Sequence, residues 1–121
     1  MLTLDHVQTA MPAGREAAAR AFFGGLLGLT ELAKPDSLAG RGGCWFRLGD
    51  RQLHLGVETP FAPALKAHVA LATDDLDGLR ARLTAAGCAI VEDAPIGGRQ
   101  RFFTADPFGN RLEIVQMDAP A

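Results

Sequence analysis

The residues most suited to chemistry in this chain are its three histidines, His6, His54 and His68, together with Glu113. Imidazole nitrogens and carboxylate oxygens are the usual ligands of a catalytic divalent metal. His54, His68 and Glu113 each lie between two apolar residues of a predicted strand. Because side chains alternate along a strand, the apolar neighbours face one side and the three polar side chains face the other. The sequence therefore predicts a metal site with these four residues as ligands.

Each of these residues also has a simpler interpretation. A single histidine in a strand is commonly a hydrogen-bonded structural residue, and Glu113 could be an ion-pair partner of Arg111 or Arg101. A variant of the metal hypothesis has three protein ligands, with His54 as a bystander. The metal hypothesis rests on the finding that all three histidines of the chain occupy related positions in a repeat.

The pattern of apolar residues and turns predicts that one unit, a strand, a helix and three further strands, occurs twice. Each predicted helix ends at a glycine, Gly28 or Gly87, and each unit opens on a His-Val pair and closes on a turn and an apolar strand. The predicted strands are 2–10, 29–33, 44–48 and 52–57 in the first unit and 67–72, 88–91, 101–105 and 111–117 in the second, and the predicted helices are 15–27 and 76–86.

A βαβββ unit buries one face of its sheet under the helix and leaves the other face open. Two such units side by side would curve their open faces around a shared cavity. We therefore expect an α+β fold of two tandem βαβββ modules with curved mixed sheets. The expected organisation is a single domain, residues 1–121, with module one at 2–58, a linker at 59–66 and module two at 67–117.

The composition limits the classes of function. The chain has 121 residues, 48% hydrophobic and 21% charged, which is an average globular mixture. A formal charge of −2 argues against a binder of nucleic acid or of anionic membranes. No apolar run approaches the length of a membrane span, and residues 1–6 do not resemble a signal peptide. Cys44 and Cys88 are too few for a disulfide framework, so we expect a cytoplasmic protein.

One segment carries a recognisable family pattern. The sequence FFTADPFGNRLE at 102–113 resembles a frequent signature of the vicinal-oxygen-chelate superfamily, which includes glyoxalase I, fosfomycin-resistance transferases, bleomycin-resistance proteins and extradiol dioxygenases. FF at 22–23 with LLGL at 26–29 resembles the first helix of that family, and KAHVAL at 66–71 resembles the opening of its second module. The resemblance covers residues 4–116 and supports the fold expected above.

The resemblance implies a function. Metal ligands in the family lie at the positions that match His6, His54, His68 and Glu113, so we expect one divalent ion per site, Ni, Mn, Fe, Co or Zn. The implied protein is a small glyoxalase-like enzyme acting on vicinal oxygens, as a lyase or isomerase, transferase or dioxygenase, with Glu113 as catalytic base. Glyoxalase I has a carboxylate at the position matching His54. The alternative is a metal-free protein of the bleomycin-resistance type that sequesters a small molecule.

The predicted partner is a small-molecule substrate. Arg101 and Arg41 are candidates to hold an anionic group, and Phe103 and Trp45 are candidate walls of the cavity. Arg41 could instead be a solvated loop charge, and Trp45 could be a core residue. Small members of the family often pair the first module of one chain with the second of another, so we expect a homodimer. Prolines in the linker at 59–66 would disfavour folding the modules of one chain together.

Overall fold

The computed structural model describes residues 1–118 and divides the chain into two compact units. The first unit comprises Met1–Pro63 and the second begins at Ala64, a boundary that lies inside the predicted linker at 59–66. Each unit contains one four-stranded mixed sheet. The α+β class of two tandem βαβββ modules, predicted from the sequence, is confirmed.

The first unit has the strand order β1-β4-β3-β2. Strands β1 and β4 are parallel, whereas β3 is antiparallel to both β4 and β2. Its elements are β1 (His6–Met11), helix α1 (Glu16–Ala19) continued by a π-helical segment (Arg20–Leu26), β2 (Glu31–Leu32), a 3₁₀ helix (Asp36–Arg41), β3 (Cys44–Leu48) and β4 (Arg51–Val57).

The first helix differs from its prediction. The sequence predicts one α-helix over 15–27, but the helix widens after Ala19, where the Leu27 N–H donates to the Phe22 carbonyl five residues back, at 2.9 Å. The adjacent Phe22 and Phe23 are both buried, which a regular α-helix achieves poorly because neighbours point about 100° apart. In this wider turn Phe23 contacts Phe46 of the sheet, and Phe22 packs edge-on against Phe23.

The elements of the second unit are β5 (Val69–Thr73), α2 (Leu76–Ala85), β6 (Val91–Glu92), β7 (Arg101–Ala105) and β8 (Arg111–Gln116). They repeat the arrangement of the first unit, with the strand order β5-β8-β7-β6. Asp75 caps α2 by accepting a hydrogen bond from the Gly78 N–H at 3.1 Å, a kind of cap that contributes about 1 kcal/mol. Leu76, Leu79 and Leu83 form the buried face of this helix.

Several predicted strand limits were wrong. Strand β1 begins at His6 rather than at residue 2, and β5 begins at Val69, so His68 immediately precedes it. The strands β2 and β6, at one edge of each sheet, have only two residues each, whereas β1 and β5 at the opposite edges have six and five. The predicted loop at 37–43 contains the 3₁₀ helix Asp36–Arg41.

The turn before β8 is tightly bonded. The buried Asp106 carboxylate accepts hydrogen bonds from the backbone N–H groups of Phe108 and Asn110 and from the Asn110 side-chain amide, each at 2.9 Å. Burial raises the pKa of Asp106, and these hydrogen bonds act in the opposite direction. The turn thereby sets where β8 begins, and so where Glu113 lies. Within residues 1–118, no helix is long and apolar enough to cross a bilayer.

Candidate functional site

In the first unit, His54 occupies the centre of the sheet face away from the helix. In the pairing of β4 with its neighbours, His54 lies opposite Gln8 on one side and Trp45 on the other. His6 lies two residues before Gln8, on the same face of β1. The flanking Leu53 and Leu55 are buried on the opposite face, as the alternation predicts.

In the second unit, Glu113 has the equivalent place. It lies opposite Ala70 and Phe103 in the pairing of β8 with β5 and β7. His68 lies two residues before Ala70, as His6 lies two residues before the residue opposite His54. The four residues predicted as ligands therefore occupy equivalent register positions in the two sheets.

Three aromatic rings stack in the first unit. The Trp45 and His54 rings lie flat on each other, with centroids 3.8 Å apart and planes 1° apart, and His6 stacks on His54 at 4.3 Å and 22°. This stack leaves His54 only 5% exposed. Its Nε2 is paired with the Gln52 Oε1 at 2.8 Å. Burial, and secondarily the neighbouring His6, lower the pKa of His54, which favours the neutral ring.

His6 is the more accessible of the two rings. Its side chain is 44% exposed, and its Nδ1 is 2.8 Å from an Asp5 carboxylate oxygen, a contact that lowers the pKa of Asp5. Nitrogen lone pairs lie in the ring plane, so two nearly parallel rings cannot both direct a lone pair at one ion. In this arrangement His6 can act as a ligand while His54 supports it, and His54 could ligate as well only if the stack opened.

The second unit forms a different kind of pair. His68 donates from Nδ1 to the Lys66 carbonyl at 3.0 Å, and its Nε2 lies 3.0 Å from the Glu113 Oε1. In the neutral ring these bonds leave a lone pair on Nε2 that faces a carboxylate, which is repulsive unless a proton or a metal ion lies between them. Neighbouring ligands of a six-coordinate ion with bonds of about 2.1 Å are about 3.0 Å apart. The donor atoms therefore fit a divalent metal.

Arg101 makes its contacts with the protein's own acceptors. Its Nη1 is 3.4 Å from the Glu113 Oε1, its Nη2 is 3.5 Å from Asp93, and its Nε donates to the Ala94 carbonyl at 2.9 Å. One of the partners considered for Glu113 from the sequence is thus found in the structure. Both contacts of Glu113 fall on Oε1, so Arg101 and His68 fix one oxygen of the carboxylate and leave Oε2 available.

The Phe103 ring lies close to two guanidinium groups and to the His68 ring in the second unit. The Arg111 guanidinium lies 3.7 Å from its centroid, Arg101 lies 5.2 Å away, and His68 approaches it edge-on at 5.3 Å. A cavity of about 290 Å³ is lined by this ring together with Leu65, Val91 and Arg111, among others. The predicted role of Phe103 as a wall is compatible with this place.

The first unit has a more polar cavity of about 260 Å³. Two of the predicted substrate contacts, Arg41 and Trp45, line it. Gln8 and Lys34 also line it, and neither is singled out by the sequence patterns. Gln52, the hydrogen-bond partner of His54, could have been predicted from the sequence because it lies two residues before His54 on the same strand face. Lys34 carries no such signal.

Within each unit, the predicted ligands come together as a pair. His6 meets His54, and His68 meets Glu113. In the part of the chain that the structure describes, no group of three or more His, Cys, Asp or Glu side chains is placed to hold one metal ion. Each pair alone is short of the three protein ligands typical of a catalytic zinc site.

Comparisons with known proteins agree with this fold. The sequence profile of the Glyoxalase/Bleomycin resistance protein/Dioxygenase superfamily matches residues 3–114. A crystal structure from Bacillus anthracis, assigned to the glyoxalase family, has 41% sequence identity and a TM-score of 0.91, with 98% of this chain and 97% of that chain covered.

More distant structures share the fold. Lactoylglutathione lyase from Agrobacterium tumefaciens is 20% identical with a TM-score of 0.72, and covers 94% of this chain and 92% of its own. A genomically encoded fosfomycin resistance protein from Listeria monocytogenes is 13% identical with a TM-score of 0.75, and covers 98% of this chain and 95% of its own. None of the curated proteins searched matches the sequence.

Proposed function

The chain belongs to the Glyoxalase/Bleomycin resistance protein/Dioxygenase superfamily, and on that premise we propose that it is a small, glyoxalase-like, metal-dependent enzyme acting on a substrate with vicinal oxygens. The observation that carries the proposal is the His68–Glu113 pair. A nitrogen and an oxygen face each other at 3.0 Å, and the second nitrogen of the ring is held by the Lys66 carbonyl. Hydrogen bonding of the far nitrogen is the usual arrangement of a metal-binding histidine.

The proposed ligand set comprises His68 and Glu113 from the second unit and His6 from the first, with His54 as a fourth candidate. His6 keeps Nε2 free while Asp5 orients the ring through Nδ1. A bound divalent metal would supply Lewis-acid stabilisation for negative charge that develops on adjacent substrate oxygens. Metal identity stays open among Ni, Mn, Fe, Co and Zn, because nitrogen and oxygen donors suit all five.

Glu113 is the proposed general base. Its carboxylate is 5% exposed, and the Arg101 and His68 contacts hold Oε1 in place. Oε2 is then the oxygen that can take a proton from a substrate carbon or hydroxyl group. Arg101 acts in this scheme as a positioning residue. Phe103 supplies an apolar surface beside the carboxylate, which limits the access of water.

We further propose that the working unit is a homodimer with two equivalent sites. A pair of ligands in each unit is fewer than a catalytic metal usually takes from the protein, so both pairs must contribute to one site. An isologous dimer in which His6 and His54 of one chain join His68 and Glu113 of its partner would supply the full set twice.

The experiment that tests the proposal is a metal analysis of protein purified without a histidine tag. The protein is stripped with a chelator and titrated by calorimetry with Mn²⁺, Co²⁺, Ni²⁺ and Zn²⁺. We expect saturation at one ion per chain for at least one of these metals. If none binds stoichiometrically while the protein stays folded, the enzyme proposal fails, and the metal-free sequestration protein becomes the better interpretation.

A further inference from the structure

The 260 Å³ cavity of the first unit lies between a surface segment and the sheet. Lys34, Leu38 and Arg41 line it from the segment around the 3₁₀ helix, and Gln8, Trp45 and Gly56 line it from the strands. Gly56 lies at its floor, and the terminal amide of Gln8 occupies the space where a side chain of residue 56 would begin. The amide therefore lies across the strand and is exposed to the cavity. A volume of about 260 Å³ equals that of about nine water molecules, which suits a small organic molecule.

The lining of this cavity is positively charged. Its charged residues are Lys34 and Arg41, and no carboxylate is among the lining residues. The half-buried Lys34 donates from Nζ to the Gly42 carbonyl. Within residues 1–118, neither Lys34 nor Arg41 has an ion-pair partner, whereas Arg20 and Arg80 each lie within 3.0 Å of a carboxylate. The Glu16 carboxylate lies beside Gly42, where its Oε1 accepts a hydrogen bond from the Gly43 N–H at 3.4 Å. Two cationic side chains that line one cavity and have no ion-pair partner are suited to an oxyanion.

The cavity is next to the candidate metal ligands of its own unit. Trp45 lines it and lies flat on His54 at 3.8 Å, and His54 in turn stacks on His6. A molecule in the cavity therefore contacts the first ring of this stack. The planar indole and the aliphatic Leu38 offer an apolar surface between the cations and the histidines.

We propose that this cavity binds the carboxylate of a small planar substrate, with Lys34 and Arg41 as its cations and the Gln8 amide as a further donor. The inference rests on the proposed function, since it makes the cavity the substrate-charge subsite of the same enzyme. It narrows the substrate to a small carboxylic acid that carries its vicinal oxygens away from the carboxylate.

Trp45 provides the assay, because it is the only tryptophan of the chain. Metal-free protein is titrated with benzoate, with benzamide as the uncharged analogue of the same shape, and with inorganic phosphate. We expect benzoate to change the Trp45 fluorescence saturably and benzamide to have no saturable effect. Equal responses to benzoate and benzamide would overturn the proposal, and tighter binding of phosphate than of benzoate would overturn the choice of carboxylate.

Three variants identify the cations. Arg41→Gln should weaken benzoate binding at least about fivefold and Lys34→Gln at least about tenfold, because the lysine is the less exposed of the two. Arg47→Gln is the matched control. Arg47 is an exposed cation on the same face of β3 as Trp45, but it does not line the cavity, so its variant should bind benzoate within about twofold of the original protein. If Arg47→Gln loses as much benzoate affinity as Arg41→Gln, the loss reflects general surface charge rather than a contact in the cavity.

Folding of the variants is checked by near-ultraviolet circular dichroism. If Lys34→Gln is misfolded because its bond to the Gly42 carbonyl is lost, Arg41→Glu decides alone, and we expect it to abolish saturable benzoate binding. Metal uptake is measured on the same preparations. Metal binding without benzoate binding overturns this inference and leaves the proposed enzyme intact. Benzoate binding without metal binding overturns the enzyme, and with it the assignment of the cavity as a substrate subsite, and leaves only a carboxylate-binding cavity.

Discussion

The two units have the same strand pairing but different residues at its central position. In the first unit, the central position of β4 is His54, and it is buried by flat aromatic rings on both of its faces. In the second unit, the central position of β8 is Glu113, and it is buried beside the His68 ring and the Arg101 guanidinium. One position therefore belongs to a stack of rings and its equivalent to a cluster of polar side chains.

This difference suggests different roles for the two units in the proposed metal site. The stack in the first unit favours a neutral His54 whose in-plane lone pairs are not aimed at the same point as those of His6. The pair in the second unit brings a nitrogen and an oxygen within 3.0 Å of each other, a separation compatible with a shared proton or with two adjacent ligands of one metal ion. We infer that the second unit dominates metal affinity and that the first contributes a supported ligand.

The sheet faces that carry His54 and Glu113 also differ in the residues around them. In β4 the position two residues after His54 is Gly56, and in β8 the position two residues after Glu113 is Val115. The glycine leaves room for the Gln8 amide, whereas the second unit has Ala70 where the first has Gln8. The polar cavity is therefore possible in the first unit, while the cavity of the second lies beside Phe103 and is mainly apolar.

The largest expected effects are losses of metal affinity when the proposed ligands are replaced. His68→Ala and Glu113→Ala should each lower metal affinity at least about 100-fold, because each removes a donor atom of the His68–Glu113 pair. His54→Phe keeps a flat ring between Trp45 and His6 and should retain the metal within about fivefold. Calorimetric titration measures all three. If His54→Phe loses metal as completely as His68→Ala, the two units contribute equally and His54 is a true ligand.

A second prediction tests whether one metal site takes its ligands from two chains. A His6→Ala/His54→Ala chain and a His68→Ala/Glu113→Ala chain should each bind no metal alone. Mixed by dissociation and reassociation, they should form heterodimers with one intact site, and metal binding should return to about half the original level. Analytical ultracentrifugation confirms that heterodimers form. Heterodimers that recover no metal would mean that each site is built within one chain.

The turns before the last strands offer a stability comparison. Asp106→Ala should lower the free energy of unfolding by about 3 kcal/mol, because it removes the buried carboxylate that accepts hydrogen bonds from the backbone N–H groups of Phe108 and Asn110 and from the Asn110 side-chain amide. Asp50→Ala, in the exposed turn before β4, should change it by less than about 0.5 kcal/mol. Urea denaturation gives both values. Equal losses would show that the hydrogen bonds of Asp106 contribute little to stability.

The smallest expected effect concerns pH. His54 has a pKa below the 6.5 of the unfolded chain, since burial penalises its charged form, so the unfolded state takes up a proton first as pH falls. Stability of the metal-free protein should therefore decrease as pH falls below 6.5 toward the lower pKa of the folded state. His54→Phe should show a smaller decrease between pH 7 and pH 5. An identical decrease in both proteins would assign the pH dependence to other groups.

Part of this picture could be predicted from local sequence. The alternation of β4 and β8 around His54 and Glu113 predicted which face they share, because a strand repeats every two residues regardless of its neighbours. The leucine spacing of α2 predicted its buried face for a similar reason. The family profile and the fold agree with what these local patterns implied.

The remainder depended on tertiary structure. No local pattern places Trp45 flat on His54, because that contact follows from the register of β3 against β4. The spacing of apolar residues did not predict the π-helical segment, in which two adjacent phenylalanines are both buried. The convergence of Lys34 and Arg41 on one cavity depends on how the 3₁₀ segment lies against the strands. The sequence by itself determined which residues share a strand face, since that is set by bonds along the chain, whereas which side chains touch was decided by packing between distant segments.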